Sequence, residues 1–160
     1  MSRFVSILKL GEGNGSVRTV GLAAATLAGL LAATVPSAAA TIHLTASLTG
    51  AKEVPPTPSK GTGTLTATYD TKTMKLSWSL PYSGLTGPAI SAHFHGPAKP
   101  GKNAPVLVPL TNVAKSPITG SAILTKAQAK DLLHGDVYVN IHTNAHKPGE
   151  IRGQVMMAKK

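Results

Sequence analysis

Two short segments of this chain place histidines where they could share a metal ion. The first, SAHFHGPA, contains His93 and His95, and the second, YVNIHT, contains His142. Both alternate apolar and polar residues, which is the pattern of strands with one buried face. If the two strands are neighbours, three imidazoles gather on one polar surface. Three are enough to bind copper or zinc and to leave a coordination position open.

Three more polar residues are expected on that surface. Asn140 lies on the second histidine strand, and Glu150 and Arg152 alternate with an isoleucine at the start of the last strand. They form a candidate second layer around a metal, in which Glu150 orients an imidazole and Arg152 attracts an anion. The alternative is a hydrogen-bonded polar cluster without metal, or an ordinary ion pair of Glu150 and Arg152. His43 and His146 are spare ligand candidates.

The elements that must position these residues are short strands. Alternating runs between turn signals predict strands at 42–48, 61–69, 74–80, 90–95, 106–110, 116–124, 136–142 and 151–157. One helix is predicted over 126–133, with Thr125 as its N-cap. Residues 50–58 are predicted to be an extended loop or edge, since proline lacks the ladder donor. The fold class we predict is all-β, an antiparallel β-sandwich of about eight strands with one short helix.

Residues 1–40 have the pattern of a secretory signal peptide. Basic residues precede an apolar run at 20–35, and the small-residue pattern ending at Ala40 suits cleavage. An uncleaved anchor is the alternative, and it is disfavoured because the run is shorter than the roughly 20 residues that span a bilayer. We therefore expect one exported domain at 41–160, periplasmic or extracellular, with no transmembrane segment after cleavage.

The composition of the predicted mature domain limits the partners and the reaction types that it can have. Residues 41–160 carry 13 Lys and Arg against 5 Asp and Glu, a net charge of +8, and no cysteine. The charge favours an anionic surface or another exported protein as partner, whereas scattered lysines and few aromatics argue against nucleic acid. Thiolate catalysis and cysteine–zinc sites are excluded. No nucleophile elbow, carboxylate pair or phosphate-binding glycine loop occurs, so an ordinary hydrolase is not expected.

Four stretches carry a family pattern. They are LTGAKEVPP at 48–56, AHFHGPA at 92–98, LLHGDVYVNIHT at 132–143 and PGEIRGQ at 148–154. In this order they resemble the CHRD domain, named after chordin, over nearly all of 41–155. In chordin such domains belong to an extracellular antagonist of growth-factor signalling, and the bacterial exported members have no settled biochemical role. The resemblance therefore implies an exported module without naming its ligand.

A weaker similarity links the histidines to the copper–zinc superoxide dismutases. In that family a His-x-His strand, a later histidine and an arginine follow in the order of His93, His95, His142 and Arg152. The zinc-binding loop and the cysteine pair of that family are missing here. The similarity therefore implies shared strand geometry and no activity.

The sequence-based interpretation is a single-domain CHRD protein that acts as a non-enzymatic binding or structural module of the periplasm or cell surface. The alternative is a copper- or zinc-binding protein that uses His93, His95 and His142. Redox activity on that metal is a more distant third hypothesis. No catalytic residue is assigned.

Overall fold

The structure, a computed structural model, describes residues 39–159, so the prediction of a signal peptide falls on residues that lie almost entirely outside this range. The strands are β1 (Thr41–Thr49), β2 (Thr62–Asp70), β3 (Lys75–Leu80), β4 (Tyr82–Ser83), β5 (Ala89–His95), β6 (Val106–Pro109), β7 (Ile118–Ile123), β8 (Tyr138–Thr143), β9 (Ile151–Gln154) and β10 (Met156–Met157). The helix α1 spans Lys126–Leu133, and a 3-10 turn, Gly50–Lys52, follows β1. Within 39–159, no helix combines the length and apolarity needed to cross a membrane.

The strands form one antiparallel sheet that curls over on itself. Its hydrogen-bonded order is β6-β5-β8-β9-β1-β2-β3-β7, with β10 attached to β1 and β4 to β2. Trp78 on β3 touches Phe94 on β5, with ring centroids 5.2 Å apart, although four strands separate β3 from β5 along that order. The sheet is therefore nearly closed around its apolar core. The all-β class is confirmed, and the eight strands along the path agree with the predicted number.

Individual elements lie close to their predicted bounds. The helix agrees at both ends, and Thr125 caps it reciprocally: its hydroxyl accepts from the Gln128 amide, while the Gln128 side chain accepts from the Thr125 amide. The predicted last strand is divided at Val155: the Val155 amide donates to the Val137 carbonyl in the register of β8 with β9, whereas Met156 and Met157 pair with β1. The sequence does not predict β4, since a two-residue strand has no alternation to detect.

The polar side of β5, β8 and β9 is where the histidines lie. Val139 and Ile141 are fully buried in the core, so their neighbours on β8 point to the opposite side of the sheet. That outer side is nevertheless covered, since all six residues of β8 are buried. The covering chain comes from three loops, residues 50–61, 96–105 and 143–150, each of which contacts outward-facing side chains. A polar surface enclosed by loops is the setting of the candidate site.

Candidate metal centre

Strands β5 and β8 are hydrogen-bonded neighbours, so the two histidine segments meet. His93 lies opposite Asn140 in the ladder, and His95 lies opposite Tyr138. His142 is two residues beyond Asn140 on β8, so alternation turns it to the same side of the sheet as the other four side chains. The strand order supplies the juxtaposition on which the predicted cluster depends.

The three imidazoles lie within reach of one ion. Nδ1 of His93 and Nε2 of His142 are 3.2 Å apart, and one ring nitrogen from each histidine can be chosen so that all lie within 4.8 Å of one another. His95 and His142 are buried, and His93 is half-buried. The arrangement is therefore a partly enclosed set of nitrogen donors.

Backbone carbonyls orient two of the rings. Nδ1 of His95 lies 2.9 Å from the Ala104 carbonyl oxygen, and Nδ1 of His142 lies 2.8 Å from that of Lys147. A carbonyl accepts but does not donate, so each Nδ1 carries the proton. In the neutral rings each Nε2 then carries a lone pair, and both Nε2 atoms lie 3.0 Å from Asn140 Oδ1. Metal-binding histidines commonly have this second hydrogen bond, which fixes tautomer and ring orientation.

The environment keeps all three rings neutral. Burial lowers the pKa of His93, and the neighbouring His142 and His95 lower it further. Burial also lowers the pKa of His142 and of His95, although hydrogen bonds to the Lys147 and Ala104 carbonyls oppose it. At neutral pH the cluster therefore presents unprotonated imidazoles, the form that binds a metal.

Arg152 contacts the site through a stack of rings. Its guanidinium carbon lies 3.3 Å from the centroid of the Tyr138 ring, and Tyr138 stacks on His95 with centroids 4.8 Å apart and planes at 4°. The same guanidinium donates to Asn103 Oδ1 and to the Lys102 carbonyl. Arg152 is thus a buried support of the loop 96–105 and of the His95 ring.

Glu150 lies in a separate set of contacts. Its carboxylate accepts hydrogen bonds from the hydroxyls of Ser59, Thr86 and Thr143 and from the Thr86 amide. Burial by itself would raise its pKa, but these bonds outweigh burial and hold the pKa below its usual value. These hydrogen bonds take the place of the predicted contact with an imidazole. We call them the Glu150 clasp, because they join the segments that carry Ser59, Thr86 and Thr143.

Glu53 is the residue that sequence reasoning did not place at the site. It is 5 % exposed, and within residues 39–159 its Oε1 accepts no hydrogen bond. Burial raises its pKa to about 7, against the lowering effects of Arg152, the Val54 amide and the Asn140 side chain. No periodicity marks it, because it lies in the irregular segment after the 3-10 turn.

A glycine makes room for Glu53 beside Asn140. Gly149 has φ +142, a conformation that side chains disfavour. A Cβ at Gly149 would collide with Glu53 Oε1 and would lie 2.9 Å from the side-chain nitrogen of Asn140. The Glu53 carboxyl and the Asn140 amide nitrogen therefore lie against the same glycine.

The two spare histidines lie outside the cluster. His43 is exposed on β1 and pairs with Thr68 in the ladder. His146 lies in the loop after β8, where its backbone bonds to that of Thr143. Neither belongs to the group of histidines that could hold one ion.

Comparison with known proteins identifies the domain. Neither the curated proteins nor the solved structures contain a match to this chain. Among protein families, the CHRD domain matches residues 44–155, a range that contains the three histidines, Glu53, Glu150 and Arg152. The chain therefore belongs to the CHRD domain family.

Proposed function

We propose that this CHRD domain is an exported metal-binding module that holds one copper or zinc ion on His93, His95 and His142. The observation that carries the proposal is the convergence of three neutral imidazoles, whose ligand atoms lie within 4.8 Å of one another. Two of them are oriented by backbone carbonyls. Imidazole nitrogen is a preferred ligand of copper and zinc.

The geometry needs only a small closure to hold an ion. At a zinc–nitrogen distance of about 2.0–2.1 Å, tetrahedral ligand atoms stand about 3.4 Å apart. Nδ1 of His93 and Nε2 of His142 are already 3.2 Å apart. The widest separation in the cluster is within 4.8 Å, so the rings must approach by up to about 1.4 Å on that side.

A second candidate function is a binding or structural module in which the histidines carry no metal. The observation that favours it is that the rings already have hydrogen-bond partners: the Ala104 and Lys147 carbonyls accept from His95 and His142, and Nδ1 of His93 lies 3.2 Å from Nε2 of His142. A cluster that is satisfied in this way would serve to fix the covering loops. Metal titration separates the two functions.

The proposal also includes a location and a class of partner for the domain. The leader at 1–40 has the basic and apolar regions of a signal peptide, which would deliver the domain to the periplasm or beyond. The net charge of +8 on 41–160 suits an anionic surface or an acidic exported protein as partner. Neither feature requires metal, so location and partner are tested separately from the ion.

Isothermal titration of the purified, chelator-stripped protein with Zn(II) and Cu(II) tests the proposal. We expect one ion per chain with submicromolar affinity. His93→Ala should abolish that binding with the fold intact, because His93 is the least buried ligand. The matched control is His43→Ala, which removes an exposed histidine outside the cluster and should bind as the parent does. No binding by the parent protein, or binding that survives His93→Ala, would favour the metal-free module.

The pH dependence of the affinity gives an independent check. Protons and metal compete for the same imidazole lone pairs, so affinity should fall below about pH 6. Because the pKa values of the three histidines are lowered, the affinity should begin to fall at a lower pH than it would for free imidazoles. An affinity that stays flat from about pH 8 to pH 5 would count against histidine ligation.

A further inference from the structure

Asn140 places an oxygen atom among the imidazoles. It is 3 % exposed, and its Oδ1 lies 3.0 Å from Nε2 of His95 and 3.0 Å from Nε2 of His142. It is the polar side chain that contacts two of the candidate ligands at once. Its role follows from counting the protons available at these contacts.

The contacts of Asn140 lack the protons that they need. His95 and His142 each use their single N–H toward a carbonyl, that of Ala104 or of Lys147. Their Nε2 atoms are then bare in the neutral rings, and both face an amide oxygen, which is also an acceptor. Two lone pairs on nitrogen and the lone pairs of Oδ1 therefore point at one another. A cation among them turns this mutual repulsion into coordination.

Glu53 explains why the amide is turned with its oxygen toward the rings. The side-chain nitrogen of Asn140 and the Glu53 carboxyl both lie against Gly149, and the Asn140 side chain acts on Glu53 as a hydrogen-bond donor that lowers its pKa. A carboxylate is an acceptor, so it attracts the NH₂ end of the amide and leaves Oδ1 for the opposite side. The Glu53 side chain is almost fully buried, and within residues 39–159 its Oε1 accepts no hydrogen bond at ordinary distance. Glu53 is thereby a positioning residue for Asn140.

We propose that Asn140 Oδ1 is the fourth ligand of the metal, which closes the site as three imidazole nitrogens and one amide oxygen. This inference rests on the proposed function. Three of the six ligand–ligand separations already measure 3.0, 3.0 and 3.2 Å, each near the edge of about 3.4 Å of a tetrahedral zinc site. Any further approach of the ligand atoms concerns the other three separations, which are His95 to His93, His95 to His142 and His93 to Asn140.

A closed site differs in chemistry from an open one. Four protein ligands satisfy a tetrahedral ion without water, which is the form of structural zinc sites rather than catalytic ones. An amide oxygen is a hard donor, so the set favours Zn(II) over Cu(I). The ion then stabilises the fold and joins β5, β8 and the loops over them, and no position is left for a substrate.

Cobalt(II) replacing zinc reports the coordination directly, because its visible absorption changes when a ligand enters or leaves. In the chelator-stripped protein loaded with Co(II), added azide should leave the spectrum unchanged. In Asn140→Ala the vacated position should admit azide and shift the spectrum, and zinc affinity should fall by about 10- to 100-fold or more. Asn144→Ala, an exposed asparagine in the adjoining loop, is the matched control and should behave as the parent does.

A conservative variant guards against loss of the fold. Asn140→Asp keeps an oxygen at the same place, so its cobalt spectrum should stay insensitive to azide even if Asn140→Ala unfolds. Azide binding to the parent protein, or equal zinc affinity in Asn140→Ala and the parent, would overturn the fourth ligand while His93→Ala still abolished binding. If the parent bound no metal at all, the proposed function would fail together with this inference.

Discussion

Two buried glutamates of this domain show how differently a carboxylate can be used. Glu150 receives four hydrogen bonds, and its pKa is held below the usual value. Glu53 is also buried, yet its Oε1 has no donor within 39–159 and its pKa is raised to about 7. Burial is common to both, so the number of donors separates them. We interpret Glu150 as a structural clasp and Glu53 as the support of Asn140.

Glu150→Ala should have the largest effect. The free energy of unfolding should fall by about 4 kcal/mol, because a carboxylate with several charge-assisted bonds is lost and its donors stay buried. Urea unfolding at pH 7 in the presence of chelator measures it. The control Asp131→Ala removes an acid whose side chain has no hydrogen bond to any residue in 39–159, and it should change stability by less than about 0.5 kcal/mol. A loss as small as the control's would show that the clasp does not hold the loops.

Glu53→Gln should act in the opposite direction on the metal-free protein. Because its pKa is raised, the folded state holds the Glu53 proton more tightly than the unfolded chain does. The parent therefore loses stability as the pH rises from the ordinary pKa of 4.5 to about 7. Glutamine does not ionise, so the variant should gain about 3 kcal/mol at about pH 8 and little at about pH 4.

The same variant should lose metal affinity. A glutamine side chain in place of Glu53 offers a donor as well as an acceptor, so it no longer selects the NH₂ end of the Asn140 amide. Urea midpoints across the pH range, with and without zinc, give both effects. If the urea midpoints of the parent and of Glu53→Gln changed with pH in parallel, Glu53 would not have a raised pKa and would not differ from Glu150 in the way described.

Ser59→Ala should have the smallest effect of the series. It removes one of four bonds to Glu150 and should cost about 1–2 kcal/mol at neutral pH. A depressed carboxylate pKa stabilises the fold above the unfolded pKa, and this contribution is lost as the pH falls through the folded pKa. The difference from the parent should therefore be larger at pH 7 than in acid, where only the lost bond from the Gly61 amide to Ser59 Oγ remains. A difference that is equally large in acid would mean that Ser59 does not stabilise the fold through Glu150.

Much of the fold follows from local sequence signals. Alternation puts His93, His95, Asn140 and His142 on polar strand faces, and Thr125 with Gln128 marks the start of the helix. Strand order does not follow, because the pairing of β5 with β8 depends on long-range packing that no local pattern encodes.

The surroundings of the histidines could be predicted less well than the histidines themselves. Glu53 lies in a proline-rich loop without periodicity, and its position beside Asn140 depends on the conformation of Gly149, nearly a hundred residues later. Glu150 shares strand parity with Arg152, yet Ser59, Thr86 and Thr143 draw its carboxylate into the clasp. The positions of both glutamates depend on how the loops pack, and the spacing of residues in the sequence does not predict loop packing.

X-ray absorption spectroscopy of the zinc-loaded protein tests the central claim most directly, because scattering by the imidazole ring counts the histidines bound to the ion. We predict three imidazoles and one further oxygen, with zinc–ligand distances of about 2.0–2.2 Å. A shell of oxygens with one imidazole or none would contradict the assignment of His93, His95 and His142 as ligands.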